Sequence, residues 1–432
     1  MQLTEQIKQT YTQILEEELL SAMGCTEPIA IAYAASILRD ALGIDPEMIR
    51  VGLSGNIIKN VKSVIVPATG GMHGIGAAVA AGIVAACPQK RLEVLCGMTS
   101  EHHARMAAYL REVPPEIYEL DTPYPFEIKL EGRHGDDVAT VHMVHRHTHI
   151  AQVTVNGVDV THVYAEKESE SETGEIADRS LLNVEAIVAF AEQTDLKELR
   201  PLLLRQMEMN MAIAEEGLSG KWGASIGALL CPKGDGNDPV TLRNRARAYA
   251  AAGSDARMSG CEMPVCILSG SGNQGITASV PVVIYGRAMG VDEDTLLRAL
   301  LVSDLITVHQ KTGIGCLSAY CGAISAGCGC GTGICYLHGG RYYEIAHTLV
   351  NAIAILSGTI CDGAKPSCAA KIAMAVEAGI MGFEMMQAGQ QFYGGDGIIT
   401  KGVENTIRNV GRLARDGMSA TDREIIRIML GE

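Results

Sequence analysis

The helical pattern that continues from residue 176 to the C-terminus is the feature that most constrains the fold of this chain. Apolar residues recur at helical spacing, and glycine-rich stretches interrupt them at 269–275, 327–340, 357–364 and 394–402. The apolar residues are mostly Ala, Ile, Leu, Val and Met, which suits tightly packed helices. We therefore predict a mostly α-helical domain over 165–432 whose loops converge on one site.

The N-terminal part of the chain predicts a smaller α/β module. Residues 3–42 have the spacing of two helices, and we expect the segment 1–48 to pack on the helical domain. Residues 126–164 alternate between apolar and polar side chains, as in a β meander, and complete a module that spans 49–164. The expected fold class is α+β, with the acidic segment 165–175 as the boundary loop.

Two shorter segments of this module also predict strands. Residues 49–66 contain β-branched runs on either side of a Ser54-Gly55-Asn56 turn, and residues 91–98 predict a short strand. His145, His147 and His149 alternate, so we place them together on one solvated face of a strand.

Charge and hydropathy exclude several classes of partner. The net charge is −15 and no basic stretch occurs, which disfavours nucleic acid and anionic membrane surfaces. The sequence has no secretory signal pattern and no apolar run long enough to span a membrane, so we expect a cytoplasmic protein. The sequence leaves homo-oligomer formation open.

The cysteines indicate a metal centre. Seven of the thirteen lie between positions 316 and 368, and a reducing compartment argues against a disulfide framework. Cys361 and Cys368 flank Pro366, which prevents one helix from running through both, and Cys368 begins a helix whose positive end favours a thiolate. Structural zinc is the alternative, but no CxxC pair is present, since Cys328-Gly329-Cys330 is only CxC. We interpret the following as packing residues: Cys87, Cys96, Cys231, Cys266 and Cys335.

Two Gly-Asn turns predict a small polar ligand. They are Ser54-Gly55-Asn56 and the stretch 269–275, which contains Asn273. Backbone N–H groups freed by glycine bind carboxylates, and Asn amides fix small polar groups, so these turns indicate an amino-acid site. Thr69-Gly70-Gly71 with His73 is a weaker candidate, and His309 is a candidate acid or base.

Several motifs together resemble the L-cysteine desulfidase family, a relative of the iron–sulfur L-serine dehydratase alpha subunit. They cover nearly the whole chain: Gly24-Cys25-Thr26-Glu27-Pro28, Ser54-Gly55-Asn56, residues 271–275, residues 317–322 and residues 360–368. The resemblance implies a [4Fe-4S] cluster and elimination of sulfide from L-cysteine to give pyruvate and ammonia.

The same resemblance implies roles for individual residues. Cys321, Cys361 and Cys368 would hold the cluster, and Cys25 would lie at or near the fourth iron, either as a ligand or as the base. Ser54, Asn56 and Asn273 would bind the amino acid. Cys316 lies near the expected position of a ligand in the related dehydratases, and Cys328 and Cys330 have no assigned role.

Three other functions remain open at the level of sequence. An L-serine dehydratase would use the same cluster chemistry on a hydroxyl group. A non-catalytic iron–sulfur sensor would use four permanent cysteine ligands. A pyridoxal-phosphate lyase would need a Schiff-base lysine, and Lys365 and Lys371 are the only lysines near the cysteine motif.

Overall fold

The computed structural model describes residues 2–164, 176–234, 236–315 and 317–431. It confirms the α+β class, with most of the helices in the C-terminal part of the chain. The helices are α1 (Glu5–Glu18), α2 (Thr26–Leu42), α3 (Gly55–Val61), α4 (Gly74–Ala85), α5 (Ser100–Glu112), α6 (Thr161–Tyr164), α7 (Val184–Gln193), α8 (Leu196–Gly217), α9 (Ile226–Leu230), α10 (Pro239–Met258), α11 (Gly272–Met289), α12 (Glu293–Ile314), α13 (Gly322–Leu337), α14 (Tyr342–Leu356), α15 (Ser367–Gln387), α16 (Val403–Arg412) and α17 (Ser419–Leu430).

The strands in the described part of the chain form two sheets. They are β1 (Ser21–Met23), β2 (Met48–Leu53), β3 (Glu116–Glu119), β4 (Glu127–His134), β5 (Asp137–Val144), β6 (Ile150–Val155), β7 (Val158–Asp159) and β8 (Pro264–Cys266). The six-stranded sheet has the order β3-β2-β4-β5-β6-β7, in which only the β2–β3 pair is parallel. The predicted meander corresponds to β4, β5 and β6.

The two-stranded sheet positions the N-terminal cysteine motif. Strand β1 pairs antiparallel with β8, so that Ser21 lies opposite Cys266 and Met23 opposite Pro264. Cys25 follows β1 directly, and the glycine-rich turn at 269–275 follows β8. Pairing of these two short strands therefore brings two motifs together that are separated by more than 240 positions in sequence.

The N-terminal helices contact both parts of the chain. Helix α2 packs against α4 and against β4 and β5, whereas α1 contacts α12. The division into units 1–48, 49–164 and 165–432 stays a prediction, and its boundary loop at 165–175 lies outside the described residues.

The strand predicted before Ser54 is confirmed as β2, whereas the strands predicted after Ser54 and over 91–98 are wrong. Residues after Ser54 form helix α3 because Ile57, Ile58 and Val61 are buried at helical spacing, although their β-branched side chains favour strands. Residues 91–98 lie in a 3-10 turn that covers Pro88–Glu93 and in the irregular residues after it.

The predicted break at 327–340 is also wrong for most of its length, because α13 continues to Leu337. Its glycines allow close helix packing instead. A Cβ atom on Gly327 would lie 2.3 Å from the Ala375 carbonyl oxygen of α15, and one on Gly331 would lie 2.3 Å from that of Gly379. On another face, a Cβ atom on Gly329 would lie 2.5 Å from the Ser303 carbonyl oxygen of α12. The glycines therefore place α13, which follows Cys321 directly, tightly against two neighbouring helices.

Among the described residues, no helix combines the length and the apolar character that crossing a membrane would require.

Candidate functional site

A cavity of about 100 Å³ lies where the N-terminal cysteine motif, the glycine-rich turn at 269–275 and the two C-terminal cysteine segments meet. Cys25, Cys321, Cys361 and Cys368 all line it. The structure therefore brings together the four cysteines that the sequence analysis singled out.

Backbone pairing fixes the positions of Cys321 and Cys361. Tyr320 and Ile360 form an isolated antiparallel bridge. The Cys361 N–H donates to the Ala319 carbonyl at 2.6 Å, and the Cys321 N–H donates to the Thr359 carbonyl at 3.0 Å. Because these backbone bonds fix both segments, the thiols of Cys321 and Cys361 lie side by side, within hydrogen-bond reach of each other.

Cys368 reaches the same cavity from the first turn of α15. Its Sγ atom lies 3.7 Å from the Gly363 carbonyl oxygen. The bend between Cys361 and Cys368 depends on Gly363, whose φ of 92° lies in the left-handed region. A Cβ atom there would also lie 2.5 Å from the Lys59 carbonyl oxygen, so only glycine fits between the two cysteines at this point.

The three C-terminal thiols differ in acidity. The pKa of Cys361 is lowered to about 6, first by the hydrogen bond from Cys321 and then by the positive charges of Lys59 and Lys371, which together outweigh its burial. The hydrogen bond to Cys361 raises the pKa of Cys321, and burial raises the pKa of Cys368. At neutral pH this group therefore holds a thiolate at Cys361, with lysines nearby that favour negative charge.

These residues fit a cluster better than a single metal ion. Within the ranges that the structure describes, no three His, Cys, Asp or Glu side chains are grouped closely enough to bind one ion. A single zinc ion requires every thiolate within about 2.3 Å of one point, whereas a cluster accepts thiolates that are bound to different iron atoms. Three thiols around one cavity with two lysines beside them match the second requirement.

Cys25 immediately precedes α2 and lines the cavity from the N-terminal cysteine motif. Its thiol donates to Glu27 Oε2 at 3.3 Å. Burial and the Glu27 charge raise the pKa of Cys25 well above its usual value. Glu27 also accepts from Thr26 Oγ1 at 2.9 Å and from Asn60 Nδ2 at 2.8 Å, so this buried carboxylate is held in one orientation.

The residues that line the cavity but were not predicted from the sequence include His147 and Arg257. The placement of the three histidines on a strand face is wrong, because residues 145–149 form the connection between β5 and β6. His147 turns inward from this connection, and its Nε2 atom is buried without a hydrogen-bond partner among the described residues. Arg257 is 2% exposed, and its Nε atom is likewise buried and unpartnered in the described part of the chain.

The glycine-rich turn makes space for these two side chains. A Cβ atom on Gly272 would lie 2.3 Å from Arg257 Nε, and one on Gly270 would lie 3.2 Å from His147 Cε1. From the sequence, these glycines were expected to expose backbone N–H groups. The structure shows that they also leave room for a guanidinium and an imidazole.

Of the three residues predicted to bind the amino acid, one lines the cavity and two do not. Asn273 lines the cavity, and its Oδ1 atom is buried without a partner among the described residues. Ser54 and Asn56 are not in its wall; Ser54 Oγ donates to the Pro125 carbonyl at 2.8 Å and accepts from the Glu127 N–H at 3.2 Å. Asn60, one turn further along α3, lines the cavity instead.

The remaining candidates among the described residues do not line the cavity. His309 pairs with Glu404 at 2.7 Å, and Thr69 Oγ1 donates to the Val66 carbonyl at 2.7 Å. Cys328 and Cys330 are buried within α13, and Cys316 lies outside the described residues.

A second cavity of about 350 Å³ adjoins the first. The two cavities share four wall residues: His147, Ser269, Gly270 and Lys311. His147 therefore lies between them.

Comparison with known proteins identifies relatives over the full chain. The sequence model of the family described as "Serine dehydratase alpha chain" matches residues 89–427. A UPF0597 protein of Desulfitobacterium hafniense is 51% identical over 432 residues, which cover 100% of this chain and 99% of the relative. UPF0597 proteins of Treponema denticola (43% identity, 100% of both chains) and Lachnoclostridium phytofermentans (45% identity, 96% of this chain and 98% of the relative) are also similar.

Proposed function

This chain belongs to the serine dehydratase alpha chain family, and on that premise we propose that it is an iron–sulfur lyase that eliminates sulfide from L-cysteine. The products would be pyruvate and ammonia, formed when the released aminoacrylate hydrolyses. The observation that carries the proposal is the convergence of four cysteines on one cavity whose wall also contains buried, unpartnered polar atoms.

Cys321, Cys361 and Cys368 are the residues that would hold a [4Fe-4S] cluster. When bound, such a cluster with one open iron position supplies a Lewis acid for the leaving group. Cys25 also lines the cavity and would lie next to that open position.

Other residues of the cavity wall would bind the substrate. Asn273 offers an amide to the amino acid, and the cavity volume of about 100 Å³ suits a small substrate. Neutral hydrogen-bonding groups that are buried without partners cost free energy, so a ligand that satisfies them is favoured.

L-Serine is the second candidate substrate, and the name of the serine dehydratase alpha chain family favours it. The match in chemical softness between ligand and metal favours cysteine, because a sulfur leaving group suits an iron atom that is held among thiolates.

Two other functions receive less support. Lys365 and Lys371 both pair with Asp362, so neither presents the free amine that a pyridoxal-phosphate Schiff base requires. A sensor that only binds a cluster has no need for the polar wall formed by His147, Arg257 and Asn273.

The test is anaerobic purification followed by measurement of iron, acid-labile sulfide and visible absorption, together with pyruvate and sulfide release from L-cysteine and L-serine. We expect the absorption of an iron–sulfur cluster and turnover of at least one substrate. Cys361→Ala should lose both colour and turnover, whereas Cys335→Ala, a buried thiol outside the cavity wall, should keep both. Full turnover by an iron-free Cys361→Ala protein would contradict the proposal.

A further inference from the structure

The wall of the cavity contains an unusual concentration of buried polar atoms without partners among the described residues. They are Asn60 Oδ1, His147 Nε2, Arg257 Nε, Ser269 Oγ, Asn273 Oδ1 and Gln274 Oε1. In folded proteins, nearly all buried polar atoms have a hydrogen-bond partner. Their concentration at one cavity indicates a ligand that carries both hydrogen-bond donors and acceptors, as a free amino acid does.

We propose that Arg257 binds the α-carboxylate of the substrate and that His147 Nε2 removes the α-proton from the adjacent carbon. This inference rests on the lyase function proposed above and names two residues that perform it. The carboxylate and the α-proton belong to the same carbon atom, so their protein partners must lie close together. His147 and Arg257 meet this requirement, since both line the cavity and both interact electrostatically with Glu27.

Arg257 has the burial and the position of a carboxylate anchor. Its guanidinium is desolvated and rests against Gly272 at the start of α11. Glu27 supplies a compensating charge, but both of its oxygens accept hydrogen bonds from other side chains: Cys25, Thr26 and Asn60. The planar guanidinium is therefore available to a carboxylate, and charge-assisted bonds of this type are the strong ones. Neutralising the carboxylate also makes the α-proton easier to remove.

His147 has the properties of the base. Burial lowers its pKa more than the neighbouring Glu27 raises it, so the imidazole is neutral and can accept a proton. It lies between the two cavities, and the larger one offers a path by which the proton can leave.

Two other titratable groups in the wall already have partners. Cys25 donates its thiol hydrogen to Glu27, and Lys371 pairs with Asp362 at 2.6 Å.

The step balances without an added oxidant or reductant. His147 Nε2 takes the α-proton, and the electron pair of the Cα–H bond forms the Cα=Cβ double bond. The bond from Cβ to sulfur, or to oxygen in serine, breaks, and the leaving group departs with its bonding pair. The imidazolium then returns its proton to the leaving group or to water, and the aminoacrylate hydrolyses to pyruvate and ammonia.

The first test uses His147→Asn, with His149→Asn as the matched control on the same connection. His149 is exposed and lines neither cavity, and an asparagine there can still donate to the Val144 carbonyl. We expect His147→Asn to keep the iron content and absorption of the parent while kcat falls by about 10²–10⁴-fold. The isotope effect measured with α-deuterated substrate should rise, and His149→Asn should match the parent. A kcat for His147→Asn equal to that of the parent would overturn the assignment, as would equal losses in both variants.

A second pair of variants separates chemistry from folding. Added imidazole should partly restore turnover to His147→Ala, which a purely structural role of His147 would not allow, and absence of any rescue counts against the base. Arg257→Lys should raise KM more than it lowers kcat, and an unchanged KM would remove Arg257 from the proposal. If the fully iron-loaded parent eliminates neither sulfide nor water, the lyase proposal itself fails. If the parent is active and the His147→Asn variant is equally active, only the assignment of His147 as the base fails.

Discussion

Replacement of Gly272 by alanine is the sharpest test of how the glycine-rich turn shapes the cavity. Gly272 is the first residue of α11, and its φ is not in the left-handed region, so its backbone accepts alanine. By helix propensity alone, the change would be neutral or stabilising by about 0.5–1 kcal/mol. The new Cβ atom, however, would lie 2.3 Å from Arg257 Nε and 2.6 Å from Val265 Cγ2.

The expected size of the effect follows from these distances. Non-bonded heavy atoms prefer separations of about 3.5 Å or more, so the Arg257 side chain must move by about 1 Å. A displacement of this size at a substrate-positioning group costs about 10²-fold in rate. We therefore expect kcat/KM for the preferred substrate to fall by about 10²-fold, mainly through KM, while iron content is retained.

The assay is steady-state kinetics with L-cysteine and L-serine, accompanied by iron analysis and thermal unfolding. Gly76→Ala in α4 is the control, because its Cβ atom would meet nothing closer than Leu110 Cδ2 at 3.5 Å. If Gly272→Ala acts through Arg257, it should cost much less when it is added to Arg257→Lys, since effects that share one partner are not additive. A Gly272→Ala enzyme with the kinetics of the parent would refute this reasoning.

Three further predictions concern other parts of the molecule. Cys25→Ala should keep most of the cluster absorption but lose turnover, as measured by anaerobic spectra and pyruvate release; loss of all colour would instead make Cys25 an essential ligand. Gly379→Ala should destabilise the protein by about 1–3 kcal/mol in denaturant unfolding, because its Cβ atom would lie 2.0 Å from the Gly327 carbonyl oxygen where α13 crosses α15. Burial raises the pKa of Asp304 to about 7, so the folded state holds a proton that the unfolded state releases near pH 3.9, and stability falls as the pH rises between these values. Asp304→Asn should remove this loss of stability with rising pH. Above about pH 7 the variant should be more stable than the parent by at most about 4 kcal/mol. Identical pH profiles of the unfolding free energy for parent and variant would contradict this prediction.

The candidate site illustrates which residues sequence patterns can find. The four cysteines stood out because seven of the thirteen lie between positions 316 and 368 and because the motifs around Cys25, Cys321, Cys361 and Cys368 resemble those of a known family, and Asn273 stood out because it follows Gly270 and Gly272. Glu27 and Arg257 had a weaker signal, namely a charged residue within a run of small or apolar residues that is otherwise typical of a buried helix. His147 had none, because its alternation with His145 and His149 suggested a strand that the structure does not contain.

The sequence by itself determined the α+β class and the helical C-terminal part, and its resemblance to a known family pointed to the cysteines that could share a cofactor. Helix and strand content follows from side-chain periodicity, and family motifs are short stretches of sequence, so both are local. Tertiary structure alone decided that β1 pairs with β8, that His147 turns inward, and that the glycines of α13 serve helix packing rather than a chain break. Such features depend on contacts between residues far apart in sequence, and neither local spacing nor propensity specifies which distant surfaces will meet.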